Sequence, residues 1–228
     1  MSAIESEREL EADEAATVET DDDQTIELAA EDTSVRALQT ALSELGWPLR
    51  VDGTMDRETF TAVRRFQRGF AWWELLVDGY AGPKTWEAIE HARSHRGRCS
   101  AHFAFREFKC RCGRPMSEGC DGIRVSRELV LGLEEYRDAV GRPVPLRSGY
   151  RDPWWNRLRG GTKNSQHLYG NAADLAEHRL TYQRVKALRV FSGIGYIESS
   201  SLVLHVDVRH VGPNTTNGTP QTPTTWPY

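Results

Sequence analysis

The chain has 228 residues, 39% hydrophobic and 27% charged, with a formal net charge of −4. That is enough for one large or two small soluble domains. No apolar run approaches the ~20 residues that span a bilayer, and the N-terminal stretch lacks the basic-then-apolar order of a signal peptide. A membrane protein and a conventionally exported protein are both disfavoured.

Residues Met1–Ser34 carry 13 acidic side chains and one basic. Such a segment buries too little apolar surface to offset its ordering entropy, so residues 1–34 read as a disordered acidic arm. The rest of the chain carries 20 acidic and 28 basic residues. A basic body implies an anionic partner, either nucleic acid or a bacterial wall polymer. Nucleic acid rests on charge alone and is set aside.

Residues 35–92 contain an internal echo. "VDGTMDRETFTAV" returns as "VDGYAGPKTWEAI", which sets Asp52 and Asp78, Gly53 and Gly79, and Thr59 and Thr85 each 26 residues apart. Each copy has an Asp-Gly turn, a short loop and a helix. Ahead of the first, "VRALQTALSEL" puts Val35, Leu38, Ala41, Leu42 and Leu45 on one helical face, ended by Gly46 and Pro48. The pattern predicts a three-helix domain. With "LQTALSELG", both "VDG" turns, "AVRRFQ" and "GPKTW", it resembles the peptidoglycan-binding domain found beside many wall-lytic enzymes.

Residues 93–100 are polar and basic and read as a linker. A second domain is expected over 101–211, and a Thr- and Pro-rich flexible tail over 212–228. Within the second domain, "SRELVLGLEEYRDAVG" reads as a helix with Ser126 as N-cap and Gly141 as stop. "TYQRVKALRVF" reads as another helix, and "NAADLA" and "LVLHVDVRH" as buried strands. The class is α+β with a small antiparallel sheet.

His167, Asp174 and His205 stand out chemically. Imidazole and carboxylate are donors that zinc accepts, and three protein ligands with one open position make a hydrolytic site. Period-two alternation places His205 and Asp207 on one face of an apolar strand, where both need partners. Spacing alone leaves ordinary surface or hydrogen-bonding roles open.

The stretches "SGYRDPWWNRLRGGTKNSQHLYGNAADL" and "GIGYIESSSLVLHVDVR" resemble the zinc D-alanyl-D-alanine carboxypeptidase family, the M15 type of metallopeptidases. The resemblance implies a hedgehog- or DD-peptidase-like fold, Zn²⁺ as cofactor, His167, Asp174 and His205 as its ligands, and Arg151 as the group that binds a substrate carboxylate or oxyanion. Ser165, Trp154 and Tyr169 are the expected substrate-binding residues. The sequence departs from that family at the proton acceptor. Positions three and two before the last ligand are Leu202 and Val203, which cannot take a proton. Glu198 and Asp207 are the substitutes, with Asp207 alternatively orienting His205.

Cys99, Cys110, Cys112 and Cys120 fall within 22 residues. Disulfides, free structural thiols and a second zinc site all remain open. The reading that results is a monomeric, zinc-dependent peptidoglycan peptidase of the endolysin kind, cleaving a bond next to D-alanine. It would be made in the host cytoplasm, act on the wall and have neither membrane nor nucleic acid as partner. The alternative is an inactive wall-binding protein with a structural zinc.

Overall fold

The two Val-Asp-Gly turns are each built on a glutamine. Gln39 Oε1 accepts from the Asp52 and Gly53 N–H groups at 3.0 and 2.9 Å, and its Nε2 donates to Asp52 Oδ1, the Thr54 carbonyl and Thr59 Oγ1. Gln67 repeats this with the Gly79 N–H, Asp78, the Tyr80 carbonyl and Thr85. Both glutamines are buried, and these bonds satisfy them. They staple together three helices: α1 (Asp23–Glu44), α2 (Arg57–Gly69) and α3 (Pro83–Ser94). Asp56 caps α2 by accepting from the Thr59 N–H at 2.7 Å, and Pro83 opens α3.

The structure is a computed structural model. It describes residues 23–114, 120, 122–209 and 218–228, with side chains from Ser34 onward. Residues 1–22 of the expected acidic arm lie outside the described residues, and α1 starts at Asp23 rather than Val35. No described helix is long and apolar enough to cross a membrane.

The second half has α4 (Arg127–Val140), α5 (Pro153–Leu158), α6 (Tyr182–Ala187) and two 3₁₀ turns at Phe105–Phe108 and Gln166–Tyr169. Ser126 caps α4, and Gly141 ends it at φ 74°, a conformation that favours glycine. Five strands form one sheet: β1 (Leu146–Ser148), β2 (Ala172–Leu175), β3 (Gly193–Tyr196), β4 (Val203–Asp207) and β5 (Thr224–Pro227), in the order β1-β2-β4-β3-β5. The α+β class holds, but the sheet is mixed. β1, β2, β4 and β3 pair antiparallel, and β5 runs parallel to β3.

Two boundaries differ from the sequence reading. The expected tail supplies β5, whose Trp226 lies over Gly195, with Nε1 3.0 Å from where a Cβ would stand. Residues 93–100, read as a linker, are helical at their start and buried at their end. Residues through Ser94 belong to α3, and Cys99 and Ser100 are buried. The Cys99 carbonyl accepts from Ala71 N–H at 2.7 Å, and Cys99 N–H donates to the Phe103 carbonyl at 2.9 Å. The halves share one apolar core. Phe105 packs on Trp47 and Phe66 with centroids 4.9 and 5.3 Å away. Polar composition hid this, because the segment buries backbone and a thiol rather than large apolar side chains.

Candidate active site

Three backbone features bring His167, Asp174 and His205 together. Gly149 packs so tightly on Phe108 that a Cβ would lie 2.7 Å from its Cα, and no side chain fits there. This sets the Gly149 carbonyl where it accepts from His167 Nδ1 at 2.6 Å. Gly170 ends the His167 turn at φ 70° and leads the chain into β2. The β2–β4 register then pairs Asp174 with His205 directly.

The hydrogen bonds fix both rings. His167 spends Nδ1–H on Gly149, so its Nε2 lone pair faces Asp174 Oδ1 at 3.2 Å. His205 spends Nε2–H on Asp207 Oδ2 at 3.2 Å, so its Nδ1 faces the same Asp174 oxygen at 2.9 Å. The donor atoms of the three residues lie within 4.8 Å of one another. Two imidazole lone pairs and a carboxylate converging on one point suit a divalent cation, and His₂Asp leaves a fourth position open for substrate.

The electrostatics agree. Burial opposes charge on Asp174, but the His167 and His205 rings facing it outweigh that and hold the carboxyl well below its ordinary range. Burial pushes the His167 pKa down. On His205 burial acts the same way, but Asp174 and Asp207 lift the ring to about 9. A cation at the convergence point would take over the role of that proton.

Arg151 forms an ion pair with Asp174 Oδ2 and donates from Nε to Ser148 Oγ at 3.0 Å. It lies in a cleft of about 700 Å³ that also includes Arg147, Arg159, Arg209 and Ser165. Trp226 forms a wall, its ring 5.3 Å from that of His205, with the Arg209 guanidinium 5.0 Å away. His178 and Tyr228 complete the rim. The sequence reading missed Arg147, Arg209, His178, Trp226 and Tyr228. Only the alternation in "TTWPY" signalled the last pair as strand residues.

Other expected site residues lie outside the cleft or, for Asp207, at its back. Glu198 is exposed in the β3–β4 hairpin loop, past the Gly195–His205 pair, and does not line the cleft. Asp207 is fully buried behind the His205 ring, held by Arg209 Nε and Nη2 at 2.9 and 2.6 Å. That arrangement suits orientation of the ring better than proton transfer from water. Trp154 is 40% exposed on α5, beside Trp155 and under Arg114, away from the cleft. Tyr169 does not line the cleft either, and its carbonyl accepts from Arg68 at 3.3 Å.

Residues 101–207 match the family model described as "Peptidase M15". Residues 31–89 match the one described as "Putative peptidoglycan binding domain". A "Zinc D-Ala-D-Ala carboxypeptidase" from Streptomyces albus G is 33% identical over 153 residues, covering 62% of this chain and 57% of that relative. The chain thus spans little more than half the length of that relative.

Proposed function

We propose that this chain, whose residues 101–207 match the Peptidase M15 model and residues 31–89 the peptidoglycan-binding one, is a zinc-dependent peptidase of the bacterial wall. It hydrolyses a stem or cross-bridge peptide bond next to D-alanine. The observation that carries this is the convergence of His167 Nε2 and His205 Nδ1 on Asp174 Oδ1 beside Arg151, in a cleft lined by four arginines. His167, Asp174 and His205 would hold the ion. When bound, zinc supplies Lewis acidity toward a carbonyl and lowers the pKa of water to about 7.

The remaining work falls to the chain's own groups. Arg151, anchored on Ser148 and Asp174, presents a guanidinium to a substrate carboxylate or to the oxyanion that develops at the scissile carbonyl. Arg147, Arg159 and Arg209 make the cleft attractive to the carboxylates of stem peptides. Asp207 keeps His205 in one tautomer and orientation. Among the described residues lining the cleft, the carboxylates are Asp174 and Asp207. His178, the lining imidazole outside the three-residue cluster, would be the group for proton exchange with substrate. The pairing of wall-binding and wall-cutting domains suits a lysin, and the activity for which the Streptomyces albus G relative is named suits a bond at D-alanine.

The test is mass spectrometry of peptidoglycan fragments after incubation with the purified protein, with and without chelator. New peptide termini that vanish with chelator and return with zinc are expected, and their sequence names the bond. If no termini appear while the protein still sediments with the wall, the enzyme reading fails and a wall-binding protein remains.

A further inference from the structure

Away from the cleft, a second group of side chains has the chemistry of a metal site. Cys110, Cys112, Cys120 and Asp152 each direct one ligand atom into a space where all four atoms lie within 4.8 Å of one another. Cys110, Cys120 and Asp152 are buried, and Cys112 is half-buried. The arms that carry the cysteines are clamped together. Cys110 N–H donates to the Gly122 carbonyl at 2.8 Å, and Lys109 and Ile123 form an antiparallel bridge. The Cys-x-Cys pair comes from one arm and Cys120 from the other.

We propose that Cys110, Cys112, Cys120 and Asp152 bind a second divalent ion of the zinc class, with three sulfurs and one oxygen in a closed tetrahedral site, and that this ion fixes the turn carrying Arg151. Three observations support it. First, two of the sulfurs already accept backbone N–H bonds, Cys110 from Asp152 and Cys112 from Arg114, both at 3.4 Å. Such bonds fix where both sulfurs point. Second, Asp152 uses Oδ1 to cap α5, accepting from Trp155 N–H at 2.7 Å, while Oδ2 faces Cys110 Sγ at 3.6 Å. A buried carboxylate against three sulfurs is a donor set that a cation would join. Third, three thiols cannot all pair with one another, and no disulfide forms among the four cysteines. Cys99 is not available as a partner, since it is buried elsewhere with its thiol donating to the Phe103 carbonyl at 3.4 Å.

Zinc–sulfur bonds of about 2.3 Å place tetrahedral sulfurs ~3.8 Å apart, so the site needs only a slight contraction. On binding, each S–H bond breaks as a sulfur–metal bond forms, and the three protons leave to solvent. Asp152 directly follows Arg151 in the chain. The ion would therefore tie Cys110, Cys112 and Cys120 to the N-terminus of α5 and hold the Arg151 backbone, whose N–H donates to the His167 carbonyl at 3.2 Å.

The proposal stands apart from the peptidase reading, and its test separates the two. Full-length protein purified in zinc should carry about two equivalents of metal per chain. Cobalt reconstitution should give thiolate-to-cobalt charge-transfer absorption, which a His₂Asp site cannot produce. A His167→Ala/His205→Ala variant should keep one equivalent and that absorption. Cys112→Ser should lose both and lower wall-cleaving activity. Wild-type stoichiometry and spectrum decide the matter even if a variant fails to fold. One equivalent with no charge-transfer band, or a two-proton mass deficit in the denatured, unreduced chain showing a disulfide, would overturn it.

Discussion

Asp207→Asn separates an orienting carboxylate from a proton acceptor. In the native site Oδ2 accepts from His205 Nε2 at 3.2 Å and Arg209 Nη2 at 2.6 Å. Oδ1 accepts from Arg209 Nε at 2.9 Å and the Arg209 N–H at 3.2 Å. All four partners are donors. An asparagine keeps one acceptor oxygen, so its NH₂ faces two donors whichever way the amide is turned. Charge-assisted hydrogen bonds are worth about 1.5–3 kcal/mol each. The Asp207 side chain is 1% exposed and Arg209 19%, so water recovers part of the loss on the arginine side only. The expected cost is about 3–4 kcal/mol, within the range for breaking a buried ion pair from one side.

The variant also removes what holds His205 Nε2 protonated and Nδ1 turned toward Asp174. Loss of such support costs about 10–100-fold in metal affinity. Urea denaturation of the metal-free proteins measures the first quantity, and competition titration with a zinc chelator the second. If Asp207 were instead the proton acceptor, zinc affinity would stay near wild type while kcat collapsed. A stability loss under about 0.5 kcal/mol with unchanged zinc affinity would refute the orienting role.

Other outcomes follow from the same geometry. Glu198→Gln should leave kcat/KM within about twofold, whereas His178→Ala should lower kcat about 10²-fold in steady-state assays with purified muropeptides. Arg151→Lys keeps the charge but loses the fork, and should cost about 10²-fold in kcat/KM; a loss under threefold would remove it from the site. Asp174 and Asp207 are both held below the ordinary carboxylate value despite burial, Asp174 by the two facing imidazoles and Asp207 by hydrogen bonds from Arg209 and His205. Their stabilisation is therefore complete above about pH 5 and is lost as pH falls through and below 4; a flat melting temperature over that range in metal-free protein would contradict it. Trp47→Ala should cost about 3–5 kcal/mol and shift a single calorimetric transition, while two transitions with only one displaced would mean separate cores.

How legible the site was in the sequence depends on the distance over which each contact forms. His167, Asp174 and Arg151 sit at short fixed offsets, so their pattern survives in one dimension. Strand alternation correctly placed Asp207 on the His205 face, but alternation does not say what a side chain meets there. That depends on Arg209, which folds back to grip the carboxylate. Glu198 was close in sequence to the right strand, yet the hairpin carries it beyond the ring, because Gly195 is the residue opposite His205. Trp226 was hidden by composition. Threonine and proline suggested a tail, and its value emerges only when Thr224 pairs with Gly193 across the sheet. The helical half was read well as far as its own repeat went, but its shared core with the second half depends on Phe105, Ile123 and Val125 meeting Trp47, Phe66 and Gly69. No local pattern announces those contacts.

That shared core changes how the two halves work together. A flexible tether raises the local concentration of substrate and leaves the site's geometry untouched. Here the last turn of α2 reaches the site's own scaffold. Arg68 donates from Nη2 to Asn171 Oδ1 at 2.8 Å and from Nη1 to the Tyr169 carbonyl at 3.3 Å. Those acceptors lie between His167 and Asp174, in the turn that sets their separation. Asn171 in turn accepts at its carbonyl from Val208 N–H at 2.9 Å, one residue beyond β4. The N-terminal half therefore braces the segment that positions two of the three converging side chains. Because Phe105 packs on Trp47, the cleft is held against the helical half rather than only tethered to it. Which bonds it can reach would then be set by packing at Phe105 and Trp47 as well as by the chemistry of the cleft.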